Sequence, residues 1–151
     1  MEKIRDVEQM PVYPAASKLA LDVETQTRDF GPDFRWLRIQ CLRSSESVCA
    51  NMAEGFYSQY STEYLQALHR CRREARETIA HIRYGLGVKQ LDHVVGTGLI
   101  SEYEDALVQL ANLMASIERK MGQYGKTKSN PSTVREVEEE YVIGSQNTNS
   151  D

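Results

Sequence analysis

The sequence has few prolines, few cysteines and no long apolar run, and each shortage disfavours a class of protein. None of its 151 residues belongs to an apolar stretch near the ~20 residues that a membrane-spanning helix needs, so we expect no membrane partner. Three cysteines and a first decapeptide without an apolar core disfavour a disulfide-built secreted domain, which favours a cytoplasmic location. All four prolines lie outside residues 33–130, so helices can form there without interruption.

Positive charge is also in short supply. The chain has 18 Lys or Arg against 22 Asp or Glu, and its net charge of −4 disfavours a polycationic nucleic-acid binder. The charge is unevenly distributed, because residues 34–89 hold nine Lys or Arg against five Asp or Glu. That part has a net charge of +4 and the remainder has −8, so a local basic face is still allowed.

Apolar residues that recur every three or four positions predict four amphipathic helices. Gly55 suits a left-handed helix end, and Ser101 with Glu104 suits a capping box at a helix start. Short connections between such helices predict an all-α, antiparallel, up-down-up-down four-helix bundle. The predicted helices cover residues 14–30, 33–54, 61–87 and 101–122, with residues 88–100 as a connection.

These helices divide the chain into three parts. We expect an amino-terminal arm over residues 1–13, a bundle domain over residues 14–122 and a flexible acidic tail over residues 123–151. The tail is rich in Ser, Asn and Thr and carries several glutamates, a composition typical of disordered segments.

One stretch of the second helix carries a long motif. Residues 40–55 read QCLRSSESVCANMAEG and match Q-x-x-R-x-x-x-S-[IV]-x-x-N-[IM]-A-E-G. The matching residues are Gln40, Arg43, Ser47, Val48, Asn51, Ala53, Glu54 and Gly55. Residues 61–64, which read STEY, and Glu77 fit the same pattern. The sequence therefore resembles the 23S rRNA-intervening sequence protein family, also described as four helix bundle proteins, over residues 15–121.

The resemblance implies a bundle that assembles as a ring, typically a homopentamer, without an established activity or cofactor. Some members are encoded within insertions in large-subunit rRNA genes. The accessory protein of diversity-generating retroelements has a similar bundle and binds nucleic acid and a reverse transcriptase. We therefore expect a non-enzymatic homo-oligomer associated with RNA or DNA. The alternative is a scaffold that recruits a reverse transcriptase or another protein through its ring surface or acidic tail.

The third helix supplies the candidate nucleic-acid site, because arginines contact phosphates and aromatic rings stack on bases. In place of the small residues usual in the family, residues 71–77 read CRREARE. The alternative is a surface on which Arg70 pairs with Glu74, and Arg73 with Glu77, four positions apart. The candidate residues are Arg70, Arg72, Arg73, Arg76, Arg83 and Tyr84.

The family-motif residues are expected to have structural roles. If the second and third helices form a hairpin, Arg43 lies near Glu77, and we predict an ion pair between them. Glu54 sits near a helix end that disfavours negative charge, so we expect it to have a compensating partner, and the free N–H groups at the start of the third helix are one candidate. Asn51 could form a hydrogen bond to a backbone group at the same corner, between the second and third helices. The alternative is a ligand site at this corner.

Enzymatic chemistry finds little support in the sequence. A di-iron bundle needs Glu-x-x-His motifs, but Glu77 and His81 are four positions apart without a second copy. His69 and Cys71 are two apart and point to different helix faces, which makes a poor zinc pair. The sequence has no phosphate-binding glycine loop. We expect no catalytic residue, metal or cofactor; a metal-dependent enzyme is the third alternative.

Overall fold

Four helices pack around a single core. The structure is a computed structural model that describes residues 4–124. Short 3-10 turns at Val7–Gln9 and Pro32–Phe34 precede the first and second helices. α2 packs against α1 and α3, and α4 closes the bundle against α3 and α1. The described part contains no strand, which confirms the all-α four-helix architecture. The helices are α1 (Val12–Thr27), α2 (Arg35–Phe56), α3 (Ser61–Gly87) and α4 (His93–Tyr124).

The predicted apolar stripes face the core. In α2 the side chains of Leu37, Cys41 and Met52 are fully buried, and in α3 those of Leu68 and Ile82 are fully buried. These positions follow helical steps of three and four, so each helix presents one continuous apolar face to its neighbours. No helix within residues 4–124 is long and apolar enough to cross a membrane.

α4 begins at His93, so the predicted capping box at Ser101 is wrong. The cap is Asp92, whose Oδ2 accepts hydrogen bonds from the backbone N–H groups of Val94 (3.1 Å) and Val95 (3.2 Å). The prediction of a connection over residues 88–100 rested on the glycines of that segment, since each glycine in a helix costs about 1 kcal/mol. Packing outweighs that cost at Gly96, which lies buried directly beneath the side chain of Leu86.

Gly55 does not adopt the left-handed conformation that the sequence predicted. α2 continues to Phe56, and none of the glycines in the described part has a positive φ. A Cβ added to Gly55 would lie 2.5 Å from the Cβ of Ala67 and 3.1 Å from a ring carbon of Tyr64. The residue is therefore needed for the close approach of α2 and α3, not for a chain reversal.

The amino-terminal segment forms part of the core. Ile4, Val7 and Met10 are buried, and α1 begins at Val12 rather than at Pro14. The backbone N–H of Val7 donates to the Tyr57 hydroxyl at 3.2 Å, so the segment covers the end of the bundle where α2 ends. Residues 125–151, which hold most of the expected acidic tail, lie outside the described residues.

Candidate nucleic-acid interface

The α2–α3 hairpin is tightly packed through small polar side chains. Ser44 and Thr78 are fully buried, and the Thr78 hydroxyl donates to Ser44 Oγ at 2.7 Å. One turn further along, the Cys71 thiol donates to the carbonyl oxygen of Val48 at 3.2 Å. Because these contacts bring the two helices close together, longer side chains on the outer surface can bridge them.

Arg43 forms the predicted ion pair with Glu77, which confirms that prediction. Its Nη1 lies 3.7 Å from the carboxylate of Glu74, and its Nε donates to the side-chain oxygen of Gln40 at 3.3 Å. The Glu77 carboxylate also lies 3.3 Å from Nε2 of His81. The Arg43 side chain is about half exposed, so an ion pair of this kind contributes only about 0–1 kcal/mol. The main effect of Arg43 is electrostatic. Its guanidinium group lies beside both Glu74 and Glu77, so the negative charges of these two glutamates are offset from α2.

Asn51 makes a second bridge between the helices. Its Oδ1 accepts a hydrogen bond from Arg70 Nε at 2.9 Å, while its Nδ2 donates to the carbonyl oxygen of Ser47 at 2.8 Å. The backbone bond of Asn51 is therefore present, but within its own helix instead of across the corner. Glu54 is exposed to solvent, and its carboxylate has no partner within residues 4–124, so the predicted compensating contact is wrong. A carboxylate that is exposed to solvent does not need a protein partner, because burial is what makes an unpaired charge costly.

Five arginines occupy the outer surface of α3, and we call them the arginine face: Arg70, Arg72, Arg73, Arg76 and Arg83. The alternative pairs Arg70–Glu74 and Arg73–Glu77 are not formed in the part of the chain that the structure describes. Arg70 contacts Asn51 instead, and Glu77 is engaged by Arg43. Contacts between α2 and α3, and not pairs within α3, therefore determine the partners of these charged side chains.

The members of the arginine face differ in how they are held. Arg72 Nη2 lies 3.0 Å from Nδ1 of His69, and Arg83 Nη2 lies 3.7 Å from a carboxylate oxygen of Glu104 on α4. Arg73 and Arg76 are exposed, and neither meets a carboxylate within residues 4–124. This surface therefore presents at least two guanidinium groups that are open to an anionic partner.

Tyr84 belongs to an aromatic pair that sequence reasoning did not find. Its ring centroid lies 5.6 Å from that of Trp36 on α2, with the ring planes at 60°. Both side chains are about half exposed. A signal was present in the sequence, because Trp36 falls outside the apolar stripe that contains Leu37 and Cys41. A large aromatic residue off the buried face of a helix indicates a surface contact.

The cysteines are unsuited to reactive chemistry at neutral pH. Burial raises the pKa of Cys41 and of Cys49 to about 11, and that of Cys71 to about 12. The thiolate is the form that attacks electrophiles and binds metals, so burial keeps these thiols in the protonated, less nucleophilic form near pH 7. Within residues 4–124, histidines, cysteines and carboxylates form no cluster of three that could hold a metal ion.

A shallow groove of about 220 Å³ lies between α1 and α4. Its polar lining comes from Lys18, Glu102, Asp105 and Gln109. The ammonium group of Lys18 is already paired with Asp22 on the next turn of α1, at 2.8 Å. The residues that line this groove include no hydroxyl, thiol or imidazole.

The bundle and its hairpin define an antiparallel four-helix protein with a motif-bearing second helix. The family model described as 23S rRNA-intervening sequence protein matches residues 8–112, which span α1 to α3 and much of α4. The chain belongs to this family. A comparison with curated proteins gives no match.

Proposed function

We propose that the chain is a non-enzymatic, homo-oligomeric accessory factor that associates with RNA through the arginine face. One observation carries the proposal: Arg73 and Arg76 are exposed and without a carboxylate partner within residues 4–124, although glutamates lie nearby on the same helix. Those glutamates are held by Arg43 from the neighbouring helix. The local positive charge of the hairpin is therefore available to an anion.

The arginine face is long enough, measured along the axis of α3, to contact several phosphates of a strand. Arg70 and Arg83 are separated by 13 residues of continuous helix, which corresponds to about 20 Å at 1.5 Å per residue. Arginine forms strong, charge-assisted hydrogen bonds to phosphate oxygens. Five such contacts to a single strand would make the logarithm of the binding constant fall with that of salt concentration with a slope of about −3.5.

Self-association is proposed for a different surface, on α4. Val94 and Val108 are 76% and 61% exposed, and with Ser101 and Ala115 they recur at seven-residue intervals on one exposed side of the helix. Exposed apolar side chains that share one side of a helix form a surface on which another chain can pack. The homopentamer usual for the family would repeat the arginine face five times, and weak contacts would then add through avidity.

The proposed RNA contact can be tested by charge removal. In Arg73→Gln/Arg76→Gln we expect binding to a short single-stranded RNA to weaken at least tenfold. The salt slope should also become shallower by about 1.4, since two phosphate contacts are lost. Fluorescence anisotropy at several salt concentrations measures both quantities.

A matched control removes the same charge from α1. Lys18→Gln/Arg28→Gln also eliminates two exposed cations, both of which are paired with carboxylates on their own helix. We expect this variant to bind RNA almost as well as the parent protein. Equal losses in the two variants, or RNA binding that does not change with salt, would refute the arginine face as the contact.

The oligomer and the alternative function have separate tests. Val108→Lys should reduce the particle mass measured by sedimentation equilibrium, because it places a charge in the proposed α4 contact; an unchanged mass would place the contact elsewhere. The alternative function, a scaffold that recruits another protein, is tested with a variant truncated after Tyr124, which lacks most of the expected acidic tail. Partner capture that needs residues 125–151 but not the arginine face would favour a protein-recruiting scaffold, with a reverse transcriptase as one class of partner.

A further inference from the structure

An exposed aromatic pair lies at the end of the hairpin where α2 begins and α3 ends. Trp36 and Tyr84 are each 50% exposed, and Ile39, one turn further along α2, is 61% exposed. Tryptophan side chains are usually mostly buried, so this exposure is unusual. The core at this level is already filled by Leu37 and Ile82, which are fully buried. The aromatic pair is therefore a surface feature and not a part of the core.

We propose that Trp36 and Tyr84 form a stacking platform for an unpaired base of a single-stranded nucleic acid. The inference deepens the proposed function and rests on it. Aromatic side chains bind single strands because every base has a π-face that can stack on a ring. Bases in a duplex are stacked on each other, so a platform of this kind selects unpaired nucleotides. The two rings meet edge to face at 60°, so they do not stack on each other and leave ring surface open.

An exposed arginine precedes each ring in the sequence, and this nearby positive charge favours a nucleotide over an apolar segment of protein. Arg35 precedes Trp36 and Arg83 precedes Tyr84, and both arginines are exposed. The pair between Arg83 and Glu104 is long, at 3.7 Å, and both side chains are more than half exposed, so Arg83 can turn to a phosphate. An aromatic ring beside a cation is the combination that single-strand sites use for base and backbone.

The platform lies beyond one end of the arginine face along α3, with Tyr84 turned towards α2 and Arg83 towards α4. Tyr84 and Arg83 are neighbours on α3, and Arg76 lies two helical turns before Arg83. A strand whose phosphates follow the arginine face would therefore bring a base to the aromatic pair at its end. The rings then set the choice between unpaired and paired nucleic acid, whereas the arginines supply affinity for both.

Trp36 reports on its own site, because it is the single tryptophan of the chain. We would titrate the full-length protein with an unstructured oligouridine RNA, an abasic strand of the same length and an RNA duplex. We expect oligouridine to quench the tryptophan fluorescence, while the abasic strand, which has the phosphates without the bases, leaves it nearly unchanged. Quenching by the abasic strand equal to that by oligouridine would overturn the platform.

Variants test the affinity independently of fluorescence. Trp36→Ala and Tyr84→Ala should each weaken oligouridine binding about tenfold in anisotropy while changing duplex or abasic binding little. Trp36→Phe and Tyr84→Phe keep a ring and should retain most of the affinity. Tyr60→Ala is the matched control, since Tyr60 is an exposed aromatic residue at the opposite end of the hairpin. Losses in Tyr60→Ala as large as those in Trp36→Ala would contradict the proposal.

The outcomes separate this inference from the proposed function. If the Arg73→Gln/Arg76→Gln variant loses salt-dependent binding while Trp36→Ala and Tyr84→Ala bind like the parent, the arginine face stands and the platform is wrong. If Trp36→Ala lowers the particle mass without changing oligouridine affinity, the aromatic pair is a contact between subunits and the platform is again wrong. If the parent protein binds no RNA, both proposals fail.

Discussion

Gly55 offers the sharpest test of how α2 and α3 pack. In most exposed helix positions Gly→Ala stabilises by about 1 kcal/mol, because alanine has the higher helix propensity. At Gly55 the new methyl carbon would lie 2.5 Å from the Cβ of Ala67, whereas carbon atoms in contact are about 3.5–4.0 Å apart. Neither atom belongs to a flexible side chain, so the two helices must separate by about 1 Å.

Overpacking of this kind costs about 1–3 kcal/mol, and we place Gly55→Ala at the upper end. After the gain in helix propensity, the net loss in the free energy of unfolding is about 2 kcal/mol. For a domain of this size that corresponds to a fall in Tm of about 8 °C. Urea unfolding followed by circular dichroism measures the loss directly.

Two further variants decide whether the reasoning is right. A Cβ at Gly98, inside α4, meets no atom within 4 Å, so Gly98→Ala should raise stability by about 1 kcal/mol. In Gly55→Ala/Ala67→Gly the collision is removed, and the double variant should recover most of the loss. The reasoning is refuted if Gly55→Ala stabilises the protein as Gly98→Ala does, or if the second substitution restores nothing.

Four other changes have expected outcomes. Asp92→Ala removes the α4 cap and should lower the free energy of unfolding by about 1 kcal/mol in urea titrations, with Asp92→Asn losing less. The Tyr103 hydroxyl is buried without a hydrogen-bond partner in the described residues, so Tyr103→Phe should leave stability unchanged or raise it by up to about 1 kcal/mol; a loss above that would reveal a missing partner. Glu77→Gln should cost no more than about 1 kcal/mol, and the cost should shrink in 1 M salt; a salt-independent loss contradicts the ion pair. The Cys71 thiol has a pKa of about 12 in the fold against an ordinary value of 9.0, so its contribution is fully present below pH 9 and is lost as the pH rises from 9 towards 12. Urea midpoints at pH 8 and pH 10.5 should therefore differ less in Cys71→Ala than in the parent protein.

The helices could be predicted where buried apolar residues recur every three or four positions. They could not be predicted where one close contact with another helix determines whether a glycine lies inside a helix or ends it. Leu19 and Val23 of α1 and Leu110 of α4 are buried at the positions that the apolar period indicated. Gly55 and Gly96 were misread because glycine serves equally as a helix end and as a site of close packing. The atoms that settle the matter belong to Ala67 and Leu86, each at least ten residues away in the chain.

The same limit applies to the candidate interface. The pairing of Arg43 with Glu77 followed from the length of the hairpin alone, since opposite charges at one level can meet. The contacts of Arg70 with Asn51 and of Trp36 with Tyr84 depend on how far each helix is rotated about its axis. The charge pattern along α3 suggested pairs within that helix, because the sequence of one helix contains no information about which α2 side chains lie beside it.

The placement of residues 4–11 has a consequence for the order in which the bundle is completed during synthesis. The Met10 sulfur accepts a hydrogen bond from the Tyr64 hydroxyl, across 54 positions of the chain, and Val7 contacts Tyr57 across 50. Residues 7–10 therefore leave the ribosome before the ends of α2 and α3 that supply these two contacts. A nascent chain exposes Ile4, Val7 and Met10 during that interval, although all three are buried in the finished bundle.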